Sequence, residues 1–309
     1  MRRVPTPLLV LLLWILAAPG PATDGPRFRF GLVADVQYAD KPSAGKRRYR
    51  ESLESLARCV EDWREQPLAF ALQLGDLIDG RETPGESAAD LARVLALFSA
   101  LPFPVHHVLG NHCLEVPRAE LYGELELEAP YSSFRRDGLR FVVLDALAVS
   151  VCGWPPDSEP YREARRWLDE HPRSDHPNAQ TWNGALGKEQ LAWLEAELAA
   201  AAAEGERALV FSHLPVLAAA SSEYHLTWDH AAVVDVLLES DAVVAFFSGH
   251  DHGGGYAVRE GVHFVTLQGM VEADPEENAY AVVEVYADRL ELRGTGTVPS
   301  RSLPFRGDG

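Results

Sequence analysis

Five apolar runs in this chain each end in a short stretch dense in oxygen or imidazole groups. The stretches are Asp35-Val36-Gln37, Gly75-Asp76-Leu77-Ile78-Asp79, Gly110-Asn111-His112, Ser212-His213 and Gly249-His250-Asp251-His252. A metal centre needs ligands from distant parts of a chain to converge on one point. Strands that end along one sheet edge achieve this, because ligand sites in open α/β sheets lie beyond the carboxyl ends of the strands. The fold must therefore bring five strand ends together. One Gly-Asn-His alone would carry little weight; five such stretches in this order carry a great deal.

Hydrophobic periodicity supplies the frame. Phe28 to Ala34, Leu68 to Leu74 and Val105 to Leu109 read as buried strands. Between them, Arg50 to Glu65 and Glu86 to Ala100 place apolar residues at helical spacing. This β-α-β-α-β order predicts parallel pairing with right-handed crossovers. Further strands are expected at Leu139 to Asp145, Arg207 to Phe211 and Ala242 to Phe247, with Lys188 to Glu204 as an Ala-rich helix. Val262 to Leu267, Ala279 to Tyr286 and Arg289 to Arg293 read as closing β structure, and the tail from Val298 as irregular. The fold class is α/β, a two-sheet core with helices outside. Residues 146–187 form a long connection with one short helix, Glu159 to Glu170, and connections of that length are usually functional or mobile.

Phosphoester hydrolysis at neutral pH lacks a good nucleophile. Two divalent ions about 3.5–4 Å apart supply one and clamp the phosphate oxygens. Asp76 is the natural bridge between them. Asp35, Gln37 and His252 suit one ion, and Asn111, His213 and His250 the other.

The formal net charge of −18 disfavours nucleic acid and anionic membranes as partners. A small phosphate substrate stays open, because bound divalent ions dominate the local field. Nothing in the sequence points to a protein partner. Three cysteines, Cys59, Cys113 and Cys152, are too few and too scattered for a disulfide framework. Arg2 and Arg3 followed by the apolar Leu8 to Ala18 read as an export signal cleaved after Ala22. The mature chain is then expected to be one domain over 23–309, exported to the periplasm or medium and free of the membrane.

The five stretches resemble the calcineurin-like metallophosphoesterases, whose first motif is usually Asp-x-His. Here it is Asp35-x-Gln37. That variant, with the basic patch Lys46 to Arg50, Val105-His106-His107, Trp182-Asn183-Gly184, Ser212-His213-Leu214-Pro215, the 246–256 segment and Gly294 to Pro299, is similar to the manganese-dependent ADP-ribose/CDP-alcohol diphosphatases. The resemblance covers nearly all of the mature chain. It implies the αββα metallophosphoesterase fold, a two-sheet β-sandwich flanked by helices. It also implies a small nucleotide substrate whose diphosphate is cleaved when a hydroxide bridging the two ions attacks phosphorus. His112 would contact the phosphate and assist the leaving group, and Arg47 would contact phosphate. The implied metal is manganese, with magnesium, zinc or iron as alternatives. An amide oxygen at Gln37 agrees with that, since carbonyl ligands suit manganese and magnesium while imidazole suits zinc and iron.

Two positions depart from the family pattern. Cys113 replaces the usual Glu after Gly-Asn-His, which is expected to loosen the orientation of His112. His225 stands where the family tends to have Cys beside the nucleotide, and is expected to stack on or hydrogen-bond a base. A phosphomonoesterase or cyclic-nucleotide phosphodiesterase on the same residues is the alternative reading, and a non-catalytic metal-bound scaffold a third.

Overall fold

The computed structural model describes residues 25–307. The expected export signal, residues 1–22, lies outside them. Among the described residues no helix is long and apolar enough to cross a membrane.

The amino-terminal half alternates strand and helix as its periodicity dictates. β1 (Phe28–Val33), α1 (Glu51–Arg64), β2 (Phe70–Gln73), α2 (Pro84–Phe98) and β3 (Val105–His107) follow one another, with β1, β2 and β3 parallel. α2 starts at a capping box in which Thr83 and Glu86 satisfy each other's backbone N–H groups. α3 (Arg118–Glu124) then leads to the antiparallel pair β4 (Ser132–Arg136) and β5 (Leu139–Val143). Next come β6 (Val149–Ser150), α4 (Glu159–Glu170) and β7 (Gly184–Ala185), with β6 and β7 forming a small ribbon of their own. α5 (Gly187–Ala203), β8 (Arg207–Phe211), α6 (His230–Glu239) and β9 (Val243–Ser248) return the chain to parallel β structure. β10 (Gly255–Arg259), β11 (Val262–Thr266), β12 (Ala279–Val285), β13 (Arg289–Gly296) and β14 (Arg301–Pro304) close it.

Two six-stranded sheets result. One has the order β14-β13-β12-β1-β2-β3, the other β10-β11-β9-β8-β5-β4. Their facing surfaces interlock through phenylalanines. Phe30 and Phe70 of the first sheet stack on each other at 5.1 Å between ring centres, and Phe70 meets Phe141 of the second edge-on at 5.1 Å. Phe211 and Phe247 continue the row at 5.3 Å. Such rings dominate core energetics and add about 0.5–1.5 kcal/mol per well-placed pair beyond burial. The helices cover the outer faces. Trp63 of α1 lies so close over Gly31 of β1 that a Cβ there would fall 2.7 Å from the indole. Leu194 and Leu198 of α5 are buried over β8 and β5. The αββα layering expected from the sequence is the observed one.

The tail corrects the sequence reading. Residues after Val298 are not irregular throughout, because β14 pairs antiparallel with β13. Its inward Leu303 is fully buried while Ser302 and Pro304 face out, so a short edge strand carries too little apolar signal to stand out. His106 stacks on Phe134 between the sheets at 4.0 Å and His107 meets Phe98 of α2 at 5.9 Å, so both serve packing. All three cysteines are free, and Cys59 of α1 is buried in the core.

Candidate active site

The carboxyl ends of β1, β2, β3, β8 and β9 converge, and each of the five stretches leaves one of them. The backbone there is strained. Asp35, Gln37, Asp76 and His250 have φ of 51°, 41°, 54° and 68°, in the left-handed region that non-glycine residues seldom adopt. Such conformations cost of the order of 1–3 kcal/mol each and persist only where the surroundings over-determine them, typically at functional sites. Backbone bonds supply that determination. The Gln37 N–H donates to the Asp76 carbonyl at 2.8 Å, the His250 N–H to Asp35 Oδ2 at 2.9 Å, and the His112 N–H to Asp76 Oδ1 at 2.9 Å. Two of the motif glycines are there for space. A Cβ on Gly110 would lie 2.2 Å from Asp76 Oδ1, and one on Gly75 2.3 Å from His213 Nδ1.

Asp76, His213 and His250 are buried, and each offers an atom within 4.8 Å of the others'. The chemistry of this contact is that of a cation site. His213 Nδ1 donates to the Leu74 carbonyl at 2.8 Å, which leaves Nε2 without that proton. Yet Nε2 faces Asn111 Oδ1, Asp76 Oδ2 and His250 Nδ1, each 3.2 Å away. Electron-rich atoms gather around one point, and a cation resolves the arrangement. A second group shares Asp76. Gln37 Nε2 donates to Asp76 Oδ2 at 3.1 Å, while its Oε1 is buried with no hydrogen-bond partner. His252 Nε2 lies 3.5 Å from Asp35 Oδ1. The orphaned amide oxygen, a carboxylate and an imidazole form a donor set that fits a second divalent ion.

Charge balance shows the same demand. Burial pushes the Asp76 carboxyl up, but the His213 and His112 rings more than offset this and hold it well below the usual carboxylate range. Burial lowers His213 and the Asp76 charge raises it, for a net rise to about 9. Burial likewise opposes protonation of His252, yet hydrogen bonds to Asp35 and Glu272 bring it to about 10. His250, buried beside His213, is pushed well below its ordinary value.

A cavity of about 460 Å³ opens over the cluster, lined by Gln37, Asn111, His112, His250 and His252 together with Arg47, Trp182 and His225. A second, of about 560 Å³, is lined by Lys41 and Arg81 together with Asp79, Glu82 and Glu86, and shares His112 and Glu115 with the first. All ten residues singled out in the sequence therefore lie at one place. Arg47 reaches Asp79 Oδ1 at 3.4 Å. His225 meets the His250 ring edge-on at 5.1 Å; its Nδ1 is buried without a hydrogen-bond partner, and burial lowers its basicity. Residues 146–187 send Cys152, Thr181 and Trp182 into the first cavity.

The expected effect of Cys113 on His112 takes a different form. The Cys113 side chain turns inward, its sulfur 3.1 Å from the Leu77 N–H. His112 is instead held by Asp79, whose carbonyl lies 3.0 Å and whose Oδ1 lies 3.6 Å from Nδ1. Asp79 also binds Lys41 and Arg47, so it supports the site from behind. Two neighbours escaped the sequence reading. Glu272 Oε1 lies 3.0 Å from His252 Nδ1, and Asn183 Oδ1 2.9 Å from His250 Nε2. Asn183 was visible only as part of Trp-Asn-Gly, and nothing in the spacing marks Glu272.

Comparison with known proteins agrees with this geometry. Residues 28–254 match the calcineurin-like phosphoesterase family. The manganese-dependent ADP-ribose/CDP-alcohol diphosphatase of Oryza sativa subsp. japonica is 36% identical, over 91% of this chain and 95% of that protein. The protein of the same name from Bos taurus is 34% identical, over 90% of this chain and 94% of its own length. The crystal structure of a dimetal phosphatase from Danio rerio superposes with a TM-score of 0.86 at 33% identity, covering 91% of this chain and 99% of that one.

Proposed function

This chain belongs to the calcineurin-like phosphoesterase family, a metal-dependent hydrolase of phosphate esters or diphosphates, and on that footing we propose that it cleaves the diphosphate of nucleoside diphosphate-linked compounds. ADP-ribose and CDP-alcohols are the substrate class, with AMP and ribose 5-phosphate as the products of the first. The observation that carries this reading is that two cavities meet at His112. A diphosphate with a substituent on each side needs room on both sides of the scissile bond, whereas a simple phosphomonoester needs only one.

Two divalent ions, manganese foremost, supply an activated water and neutralise phosphate charge when bound. Asp35, Gln37 and His252 would hold one, Asn111, His213 and His250 the other, and Asp76 both. The protein's own groups do the rest. Arg47, held by Asp79 at the cavity wall, offers a planar fork to a phosphate. His112, fixed through Nδ1 by Asp79, presents its other nitrogen to the leaving oxygen and donates a proton or a hydrogen bond as negative charge develops there. His225, in the wall of the first cavity, offers its ring to a base. The Arg2-Arg3 and Leu8 to Ala18 segment supports export, with the mature chain beginning at Thr23.

The test is a substrate panel with manganese: ADP-ribose, CDP-choline, cyclic AMP and an aryl phosphate. The diphosphates should be preferred by at least tenfold in kcat/KM. Preference for the aryl phosphate or cyclic AMP would replace this reading with the alternative. Amino-terminal sequencing of exported protein should begin at Thr23, and retention of the full chain in the cell would refute export.

A further inference from the structure

A histidine has two ring nitrogens, and which of them is free to bind a cation depends on what the other one touches. Nε2 of His250 lies 2.9 Å from Oδ1 of Asn183. That amide is not free to turn. Asn183 is fully buried, and its Nδ2 donates to the backbone carbonyls of Asn178 at 3.0 Å and Tyr224 at 2.8 Å. Both amide hydrogens are therefore taken, and the oxygen must face the imidazole. An oxygen acceptor requires N–H on Nε2. A neutral ring carries one such proton, so Nδ1 is left with its lone pair, and Nδ1 is the atom 3.2 Å from His213 Nε2 within the cluster.

We infer that Asn183 is a positioning residue that locks His250 in the tautomer whose Nδ1 takes a cation, so the end of the 146–187 segment completes one ion position without touching the ion. The inference rests on His250 being an ion ligand, as proposed above. The neighbouring histidine shows the complementary arrangement. His252 Nδ1 lies 3.0 Å from the Glu272 carboxylate, so its free nitrogen is Nε2, which faces Asp35. The two histidines of His250-x-His252 thus present opposite nitrogens to the two halves of the site. They also differ in backing. A carboxylate behind the ring raises its basicity as a ligand, and a neutral amide does so less. The ion position served by His250 is accordingly the weaker of the two, and the one that Asn183 controls.

The test uses the full chain stripped of metal with chelator. Long-range nitrogen-15 spectra of its histidines, with His250 assigned from an H250Q variant, should show Nε2 protonated and Nδ1 bare. Calorimetric titration of the wild type with manganese should resolve a tighter and a weaker class. Asn183→Leu should weaken the weaker class about 10- to 100-fold, leave the tighter one unchanged and mix the His250 tautomers. Asn183→Ala, with room for a bridging water, should fall between, and serves if the leucine variant does not fold. A His250 proton on Nδ1 in the wild type overturns the inference, whatever the variants do. So does a folded Asn183→Leu protein that binds two manganese equivalents with wild-type affinity. Failure of the wild type to bind manganese would count against the proposed function instead, and the wild-type spectrum decides the tautomer independently of it.

Discussion

Asp79 holds His112 from behind, with its carbonyl 3.0 Å and its carboxylate oxygen 3.6 Å from Nδ1. The other face of that ring is left toward the point where both cavities meet. A carboxylate in this place fixes the angle of the ring, which the residue following His112 cannot do because Cys113 is turned into the core. Asp79→Asn keeps the carbonyl contact and loses the charge. Steady-state kinetics on ADP-ribose should show kcat lowered about tenfold with little change in KM, against a loss of about 10²- to 10⁴-fold for His112→Ala. Equal, wild-type kcat in both variants would remove His112 from the chemistry.

Gln37 is the proposed ligand that departs from the usual Asp-x-His, and its Oε1 is buried with no hydrogen-bond partner. Gln37→His replaces an amide oxygen by imidazole, which suits zinc and iron better. Competition between manganese and zinc for the stripped protein should move toward zinc by about tenfold or more. An unchanged ratio would mean that Gln37 does not ligate.

Trp182 is one of three exposed large hydrophobic side chains among the described residues, and it lines the first cavity, as does His225. An aromatic face kept in water at a cavity rim invites a flat partner. Base stacking on an aromatic side chain is worth about 1–3 kcal/mol per base. Trp182→Ala should therefore raise KM for ADP-ribose about tenfold and leave hydrolysis of inorganic pyrophosphate, which has no base, unchanged. Equal effects on both would make the role structural.

Away from the cluster, burial raises the Asp229 carboxyl to about 6, although the Gly187 N–H donates to its Oδ2 at 3.1 Å. A folded-state value above the unfolded one means that the folded form binds the proton more tightly. The corresponding stability is present below about pH 4 and lost as pH rises through about 6. Relative to wild type, Asp229→Asn should gain of the order of 2 kcal/mol in urea unfolding between pH 4 and pH 7.5. A constant difference between the two proteins across that range would show that Asp229 titrates normally.

Most of the candidate site was legible because parallel buried strands are continuous apolar runs and the candidate ligands follow directly in sequence. Asp35, Asp76, Asn111, His213 and His250 each sit within four residues of a strand end. β4 was not legible because it is an exposed edge strand of Ser, Phe and Arg, without alternation against a core. β14 was missed for the same reason, with Leu303 its only buried residue within the strand. Asn183 and Glu272 were hidden for another reason. Their partners lie 67 and 20 residues away, and a hydrogen bond across that distance leaves no pattern in either segment. The tautomer of a histidine is a tertiary property.

The proposed activity is that of a diphosphatase whose donors hold two ions around Asp76. Its most direct test is AMP release from ADP-ribose by chelator-stripped protein titrated with manganese. No release is expected without metal, then a rise that levels off at two equivalents per chain, and none above background in His112→Ala. Full activity in the stripped protein, a plateau at one equivalent, or two bound equivalents with no AMP formed would contradict it.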